Sequence, residues 1–253
     1  MANLVGADEL VTDLTKPKKE RKKKHLPHVR NEIVPIKCAD KVGVERWTPD
    51  RLDIGNFPSP ARILLIGECG VGKSTLIKNL IIHARPRFEE VYLVHEDAEY
   101  TKEYDDLEPT EKFNEVPPLE FWNYEGPHKK RAIIFDDVEM TTANRERLKN
   151  LAIAFRYAST HKGLTIYFAH QSFFNIMPLI KRMADVIIVW KVKARNELGL
   201  IENRVGLPDG TLCELFKNVA TKHKDSICID LKENSPAPLR LNVWQEIEIA
   251  QED

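Results

Sequence analysis

Short apolar runs rich in β-branched residues alternate along the chain with longer stretches whose apolar positions recur at helical spacing. This alternation predicts β-strands at Arg62 to Ile66, Val91 to His95, Arg131 to Phe135, Leu164 to Ala169 and Val186 to Val192. Because these runs are continuously apolar, each strand is expected to be buried on both faces, as in a mainly parallel sheet covered by helices. Helices are predicted at Lys73 to Ala84, Thr142 to Thr160 and Met177 to Ala184, with further helical stretches at Asn196 to Arg204 and Asp209 to Ala220 before a last strand, Ser226 to Leu231. The stretch Tyr100 to Lys130, rich in Pro and acids, reads as a loop that hangs off the sheet as an insertion.

Composition narrows the class without choosing a function. With 253 residues, 42% hydrophobic and 30% charged, the chain can build a sizeable core and is neither collagen-like nor wholly disordered. A formal net charge of -1 excludes a globally basic polyanion binder, so any nucleic-acid contact must be local. The one concentrated source of positive charge is Lys16 to Lys24, seven bases in nine positions with no apolar periodicity. It reads as a disordered arm that touches phosphates or acts as a nuclear address, or equally as a solvated tail. Glu246, Glu248, Glu252 and Asp253 form a short acidic tail with no assigned role. No apolar run reaches the roughly 18 residues of a membrane span, and the first residues lack signal-peptide order, so a cytosolic start is expected. Cys38, Cys69, Cys213 and Cys228 show no metal-ligand spacing and are expected to be reduced.

The chemistry concentrates after the first strand. Gly67, Glu68, Cys69, Gly70, Val71, Gly72, Lys73 and Ser74 fit G-x-x-x-x-G-K-[ST] at every fixed position, between a strand and a helix. In that context the glycines let successive N–H groups form an anion nest, and the helix N-terminus adds partial positive charge. Lys73 then reaches the β- and γ-phosphates and Ser74 offers a hydroxyl to Mg²⁺, with Thr75 either a helper or a helix-start packing residue. Cys69 reads as a small loop filler. A metal-holding carboxylate is expected at the end of a hydrophobic strand on the same sheet edge, and Asp136 occupies such a position. Asp137 is the candidate general base, with Glu139 its rival. Gln171, after the strand Leu164 to Ala169, suits a γ-phosphate sensor because its amide can both accept from water and donate to phosphate. His170 reads equally as a packing or a functional histidine.

This ordered series, the Gly67–Ser74 loop, Asp136–Asp137 and Gln171, resembles the FtsK/HerA superfamily of P-loop ATPases. Within it, the chain resembles the genome-packaging ATPases of tailless double-stranded DNA viruses, of poxvirus and virophage type. The resemblance runs from about Trp47 to Leu231 and is supported by Phe155-Arg156-Tyr157 and by Pro178 to Asp185 leading into Val186 to Trp190. It implies an ASCE/RecA-like α/β fold in which the Gln171 strand lies between the phosphate-loop strand and the Asp136 strand. The implied layout is a basic arm and lead-in over residues 1–45, an ATPase domain over 46–235, and a C-terminal strand and acidic tail over 236–253.

The resemblance also implies ATP and Mg²⁺ as cofactors and a pentameric or hexameric ring of identical subunits. Such a ring pumps double-stranded DNA into a preformed capsid and meets capsid vertex proteins. It works in the host cytoplasm or nucleus at assembly sites, or in the virion. An arginine from a neighbouring subunit is implied at the γ-phosphate, with Arg182 and Arg156 the candidates ahead of Arg145 and Arg147. Two other classes share some of these features: a hexameric helicase or AAA-type remodelling ATPase, which should carry a helical lid, and a non-hydrolysing nucleotide-dependent assembly protein. Nor do these residues separate ATP from GTP.

Overall fold

The computed structural model describes residues 28–29, 57, 60–123, 129–140, 144–192, 195–232, 235 and 237–248. The basic run Lys16 to Lys24, Cys38, Thr142, Glu252 and Asp253 lie outside the described residues. In chain order the strands are β1 (His28–Val29), β2 (Arg62–Ile66), β3 (Glu90–Val94), β4 (Glu111–Phe113) and β5 (Arg131–Asp136), then β6 (Leu164–His170), β7 (Val186–Trp190), β8 (Ser226–Asp230), β9 (Leu239–Leu241) and β10 (Gln245–Glu248). The helices are α1 (Lys73–Ile82), α2 (Leu119–Trp122), α3 (Arg145–Ile153), α4 (Ser159–His161), α5 (Pro178–Met183), α6 (Arg195–Val205) and α7 (Thr211–Asn218). A π-helical turn, Ala154–Ala158, joins α3 to α4 without a break.

Among the described residues ten strands make one sheet, ordered β1-β10-β9-β8-β7-β2-β6-β5-β3-β4. From β7 to β4 every pairing is parallel, whereas β8, β9, β10 and β1 continue the other edge in antiparallel fashion. The Gln171 strand, β6, lies between β2 and β5, as the family resemblance implies.

Both faces of the central strands are covered, which explains their continuous apolarity. Along β2, Ile63 and Leu65 join a cluster that includes Ile77 and Leu80 of α1, while Leu64 and Ile66 join one with Leu151, Phe155, Leu198 and Leu215. Helices α6 and α7 therefore belong to the main core and are not a separate lid. Their junction is fixed by Glu202, which is buried and accepts from the backbone N–H groups of Gly210 (2.9 Å) and Leu212 (2.6 Å).

Two expectations need correction. The stretch Tyr100 to Lys130 does not simply hang off the sheet: β4 extends the sheet beside β3, and Tyr104, Val116 and Trp122 are buried. Its acids and prolines mask the few apolar anchors that hold it down. The C-terminal strand is in fact two, β9 and β10, paired to each other and through β9 to β8. The other predicted elements lie within three residues of their expected limits, whereas β1, in the stretch read as a basic arm and lead-in, was not expected and pairs with β10. Among the described residues no helix is long and apolar enough to cross a membrane.

Candidate functional site

Parallel strands deliver their C-terminal ends to one edge, and there the sequence candidates collect. Ile66 is in register with His170 and Asp136 with Ala169, so the phosphate loop, Asp136–Asp137 and Gln171 all leave the sheet at the same edge. Gly67 is anchored there by its N–H, which donates to the His170 carbonyl (3.2 Å). A Cβ at Gly67 would lie 2.9 Å from the Trp190 Cβ and 3.0 Å from Val71 Cγ2, so the loop passes a point where only glycine fits. Gly72, with φ 107°, takes the left-handed turn that starts α1, and no side chain caps that helix end. The first N–H groups of α1 are thus free for an anion.

Lys73 is 8% exposed, and its Nζ donates to the carbonyls of Gly67 (2.8 Å) and Glu68 (3.0 Å). The ammonium is held inside the loop's curve by weak acceptors, which phosphate oxygens would outcompete because charge-assisted bonds are stronger. Ser74 is partly buried, while Cys69 and Thr75 are exposed.

Asp136 is only 5% exposed and accepts a 2.6 Å hydrogen bond from the hydroxyl of fully buried Tyr104. Burial raises its pKa, and the charges of Asp137 and Glu103 add to the rise against the Tyr104 bond and Lys73. Burial likewise raises the Tyr104 pKa, reinforced by Asp136 and countered by a hydrogen-bonding contribution from Ser74. Tyr104 therefore stays a protonated donor to the strand carboxylate. Sequence reading passed over it, because a lone tyrosine among acids carries no periodic signal. The only pointer was chemical: a buried carboxylate needs a donor.

The residues fit Mg²⁺, which takes hard oxygen ligands and commonly uses only one or two protein groups besides phosphate oxygens. Asp136 and Ser74 would hold it, and the ion would neutralise charge on the β- and γ-phosphate oxygens.

Asp137 is exposed and adopts φ 50°, a left-handed conformation that Asp tolerates better than most residues. That turn separates its carboxylate from the buried Asp136. Glu139 is also exposed, and its backbone is pinned instead: its N–H donates to Glu96 Oε1 (3.3 Å) and its carbonyl accepts from Arg147 Nη1 (3.4 Å).

Gln171 is exposed directly beyond β6. Two residues on, the Phe173 N–H donates to buried Glu197 of α6, and Lys181 Nζ lies 4.7 Å from the Phe173 ring centroid. The segment after Gln171 is thereby tied to two helices. Burial lowers the His170 pKa, its Nδ1 lies 2.8 Å from the Ser172 carbonyl and 3.1 Å from the Ser172 backbone nitrogen, and its ring stacks on Phe168. That is the behaviour of a packed neutral imidazole.

The arginines separate clearly. Arg147 is committed within its own chain, donating to both oxygens of Glu115 (2.8 and 2.5 Å) and to Glu96 (3.0 Å). Arg145, Arg156 and Arg182 are exposed. Arg182 lies at the end of α5, just before β7 begins, and so near the sheet edge opposite the phosphate loop. Arg156 sits in the π-helical turn, on the way from the loop edge to that same far edge. Neither is brought to this chain's own Gly67–Ser74 loop.

No protein-family model and no curated protein sequence matches the chain. Among solved structures, its fold is similar to B204, the DNA-packaging ATPase from Sulfolobus turreted icosahedral virus, at 17% identity and TM-score 0.52, covering 72% of this chain and 97% of that one. The genome packaging NTPase B204 from Sulfolobus turreted icosahedral virus 2, in complex with ATP-gammaS, is similar at 17% identity and TM-score 0.51, covering 72% and 96%. Its complex with sulfate gives 15% identity and TM-score 0.50, covering 73% and 96%. At these identities the likeness is one of fold, and at that level the resemblance to viral packaging ATPases holds.

Proposed function

We propose that this chain is an ATP-hydrolysing motor that moves double-stranded DNA into a viral capsid. The observation that carries this reading is one sheet edge. A glycine-rich anion loop, a buried strand-end carboxylate, an exposed second carboxylate and a strand-end glutamine meet there in the strand order β2-β6-β5. The shared fold with B204, described as a DNA-packaging ATPase, supports the choice of DNA as cargo.

In this reading the loop N–H groups and the α1 N-terminus bind the β-phosphate, and Lys73 leaves its loop carbonyls for the β- and γ-oxygens. Asp137 accepts a proton from the attacking water, with Glu139 the rival for that role. Gln171 senses the γ-phosphate and passes its loss to α6 through the Phe173–Glu197 contact. Because Arg182 and Arg156 lie away from their own loop, they suit a neighbour's nucleotide in a ring, and the basic arm suits DNA phosphates. Capsid vertex proteins would be the docking partners. A lid-bearing helicase or remodelling ATPase fits less well, since α6 and α7 are part of the core.

The test is phosphate release by the full chain with and without double-stranded DNA, alongside its mass in solution. DNA-stimulated turnover from a ring-sized assembly is expected. Turnover indifferent to DNA would remove the cargo, and none at all would favour a non-hydrolysing assembly protein.

A further inference from the structure

Beside the phosphate loop, on the flank toward the antiparallel half of the sheet, lies a cleft of about 400 Å³ that the hydrolytic chemistry leaves unused. One wall is α1, through Thr75 and Leu76, so the cleft begins where a phosphate chain seated on the loop would end. The other wall comes from β7 and the turns around β8 to β10, through Trp190, Asp225, Asn242 and Trp244. The volume suits a nucleoside, and the lining is mainly apolar with a few fixed polar groups.

Those fixed groups are held in unusual ways. Asn242 and Val243 adopt φ 52° and 80°, left-handed backbone in two non-glycine residues, one of them β-branched. The turn persists because it is pinned from several sides. Asn242 Oδ1 accepts from the Ser226 N–H (2.9 Å), its Nδ2 donates to Asp225 Oδ1 (3.1 Å), and Val243 is fully buried. Left-handed residues of this kind close the three-residue loop between β9 and β10. That loop ends in Trp244, whose indole stands 43% exposed at the cleft. Trp190 is fixed by its Nε1 donating to the Lys224 carbonyl (3.2 Å). Asp225 is buried, and its second oxygen accepts from the Lys222 N–H (2.9 Å), which makes it a rigid acceptor in the lining.

We propose that this cleft receives the purine base of the nucleotide whose phosphates the loop holds, with Trp244 stacking on the base and Asp225 accepting its exocyclic amino group. The proposal rests on the nucleotide reading above and adds to it the selectivity of the same site. An indole face offers stacking to any base. A carboxylate, an acceptor only, favours a base that presents an amino group over hypoxanthine, which lacks one.

The test is calorimetric titration of the full chain with ADP, IDP and pyrophosphate, combined with tryptophan emission. ADP should bind more tightly than pyrophosphate and quench the emission, and IDP should bind several-fold more weakly than ADP. Trp244→Ala should lower ADP affinity about tenfold while leaving pyrophosphate affinity unchanged, and Trp244→Phe should retain most of it. Lys73→Ala should weaken both ligands, which separates the loop from the cleft. Trp244→Ala and Trp244→Phe binding ADP as tightly as the parent would overturn the stacking, and IDP matching ADP would overturn the role of Asp225. If neither ADP nor pyrophosphate binds the parent chain, the phosphate-loop reading falls together with this one.

Discussion

Asp136 and Asp137 are neighbours in sequence with opposite environments, one buried under Tyr104 and the other exposed on left-handed backbone. Asp137→Asn is expected to bind nucleotide normally and lose turnover about a hundredfold or more, the usual scale for a general base. Glu139→Gln should stay near the parent rate, and the reverse pattern in phosphate release would reassign the base. Tyr104→Phe removes the donor from a buried carboxylate, which then holds its proton more firmly. Turnover should need more Mg²⁺, and the folded state should lose about 1–3 kcal/mol in denaturant titration. An unchanged Mg²⁺ dependence would reduce Tyr104 to packing. At this scale the loop residues and the strand-end acids were legible because phosphate chemistry demands fixed residue types at fixed spacings. Tyr104 and Trp244 were not, since each acquires its role only when distant segments meet.

Strand starts are held by a cluster opposite the site. Asp185, just before β7, accepts from the backbone N–H (2.9 Å), Nε (2.9 Å) and Nη2 (3.0 Å) of Arg62 at the head of β2, and pairs with Lys232 (2.6 Å). Burial alone would raise its pKa, but Arg62 and Lys232 outweigh it and hold the carboxyl below its ordinary value. A carboxyl depressed in the folded state stabilises the protein above the unfolded pKa and loses that contribution as pH falls through the folded one. Asp185→Ala should therefore cost about 3 kcal/mol at neutral pH, with the gap from the parent closing as acid protonates Asp185. A gap independent of pH would mean that packing, not charge, is lost. The central strands and α1 were readable because burial on both faces imposes continuous apolarity. Strand β4, with exposed and half-buried residues, and the hairpin β9–β10 owe their state to pairing with the strands beside them. The π-helical turn bearing Arg156 likewise leaves no mark in the helical periodicity.

Over the whole molecule, a near-neutral chain carries its chemistry at one sheet edge, Arg182 and Arg156 away from that edge, and its basic run in an N-terminal stretch. The strand order was legible only through resemblance, because pairing partners are not written in local pattern. The central claim is that the Gly67–Ser74 loop binds and hydrolyses a nucleoside triphosphate, and Lys73, buried against its own loop carbonyls, is the residue that bears on it most directly. Phosphate release from ATP by the parent chain and by Lys73→Ala, both checked as folded by circular dichroism, tests it most directly. Turnover by the parent and a loss of about a hundredfold or more in the variant are expected, since Lys73 is the loop's point charge on the β- and γ-phosphates. Turnover of Lys73→Ala within a few-fold of the parent would contradict the claim.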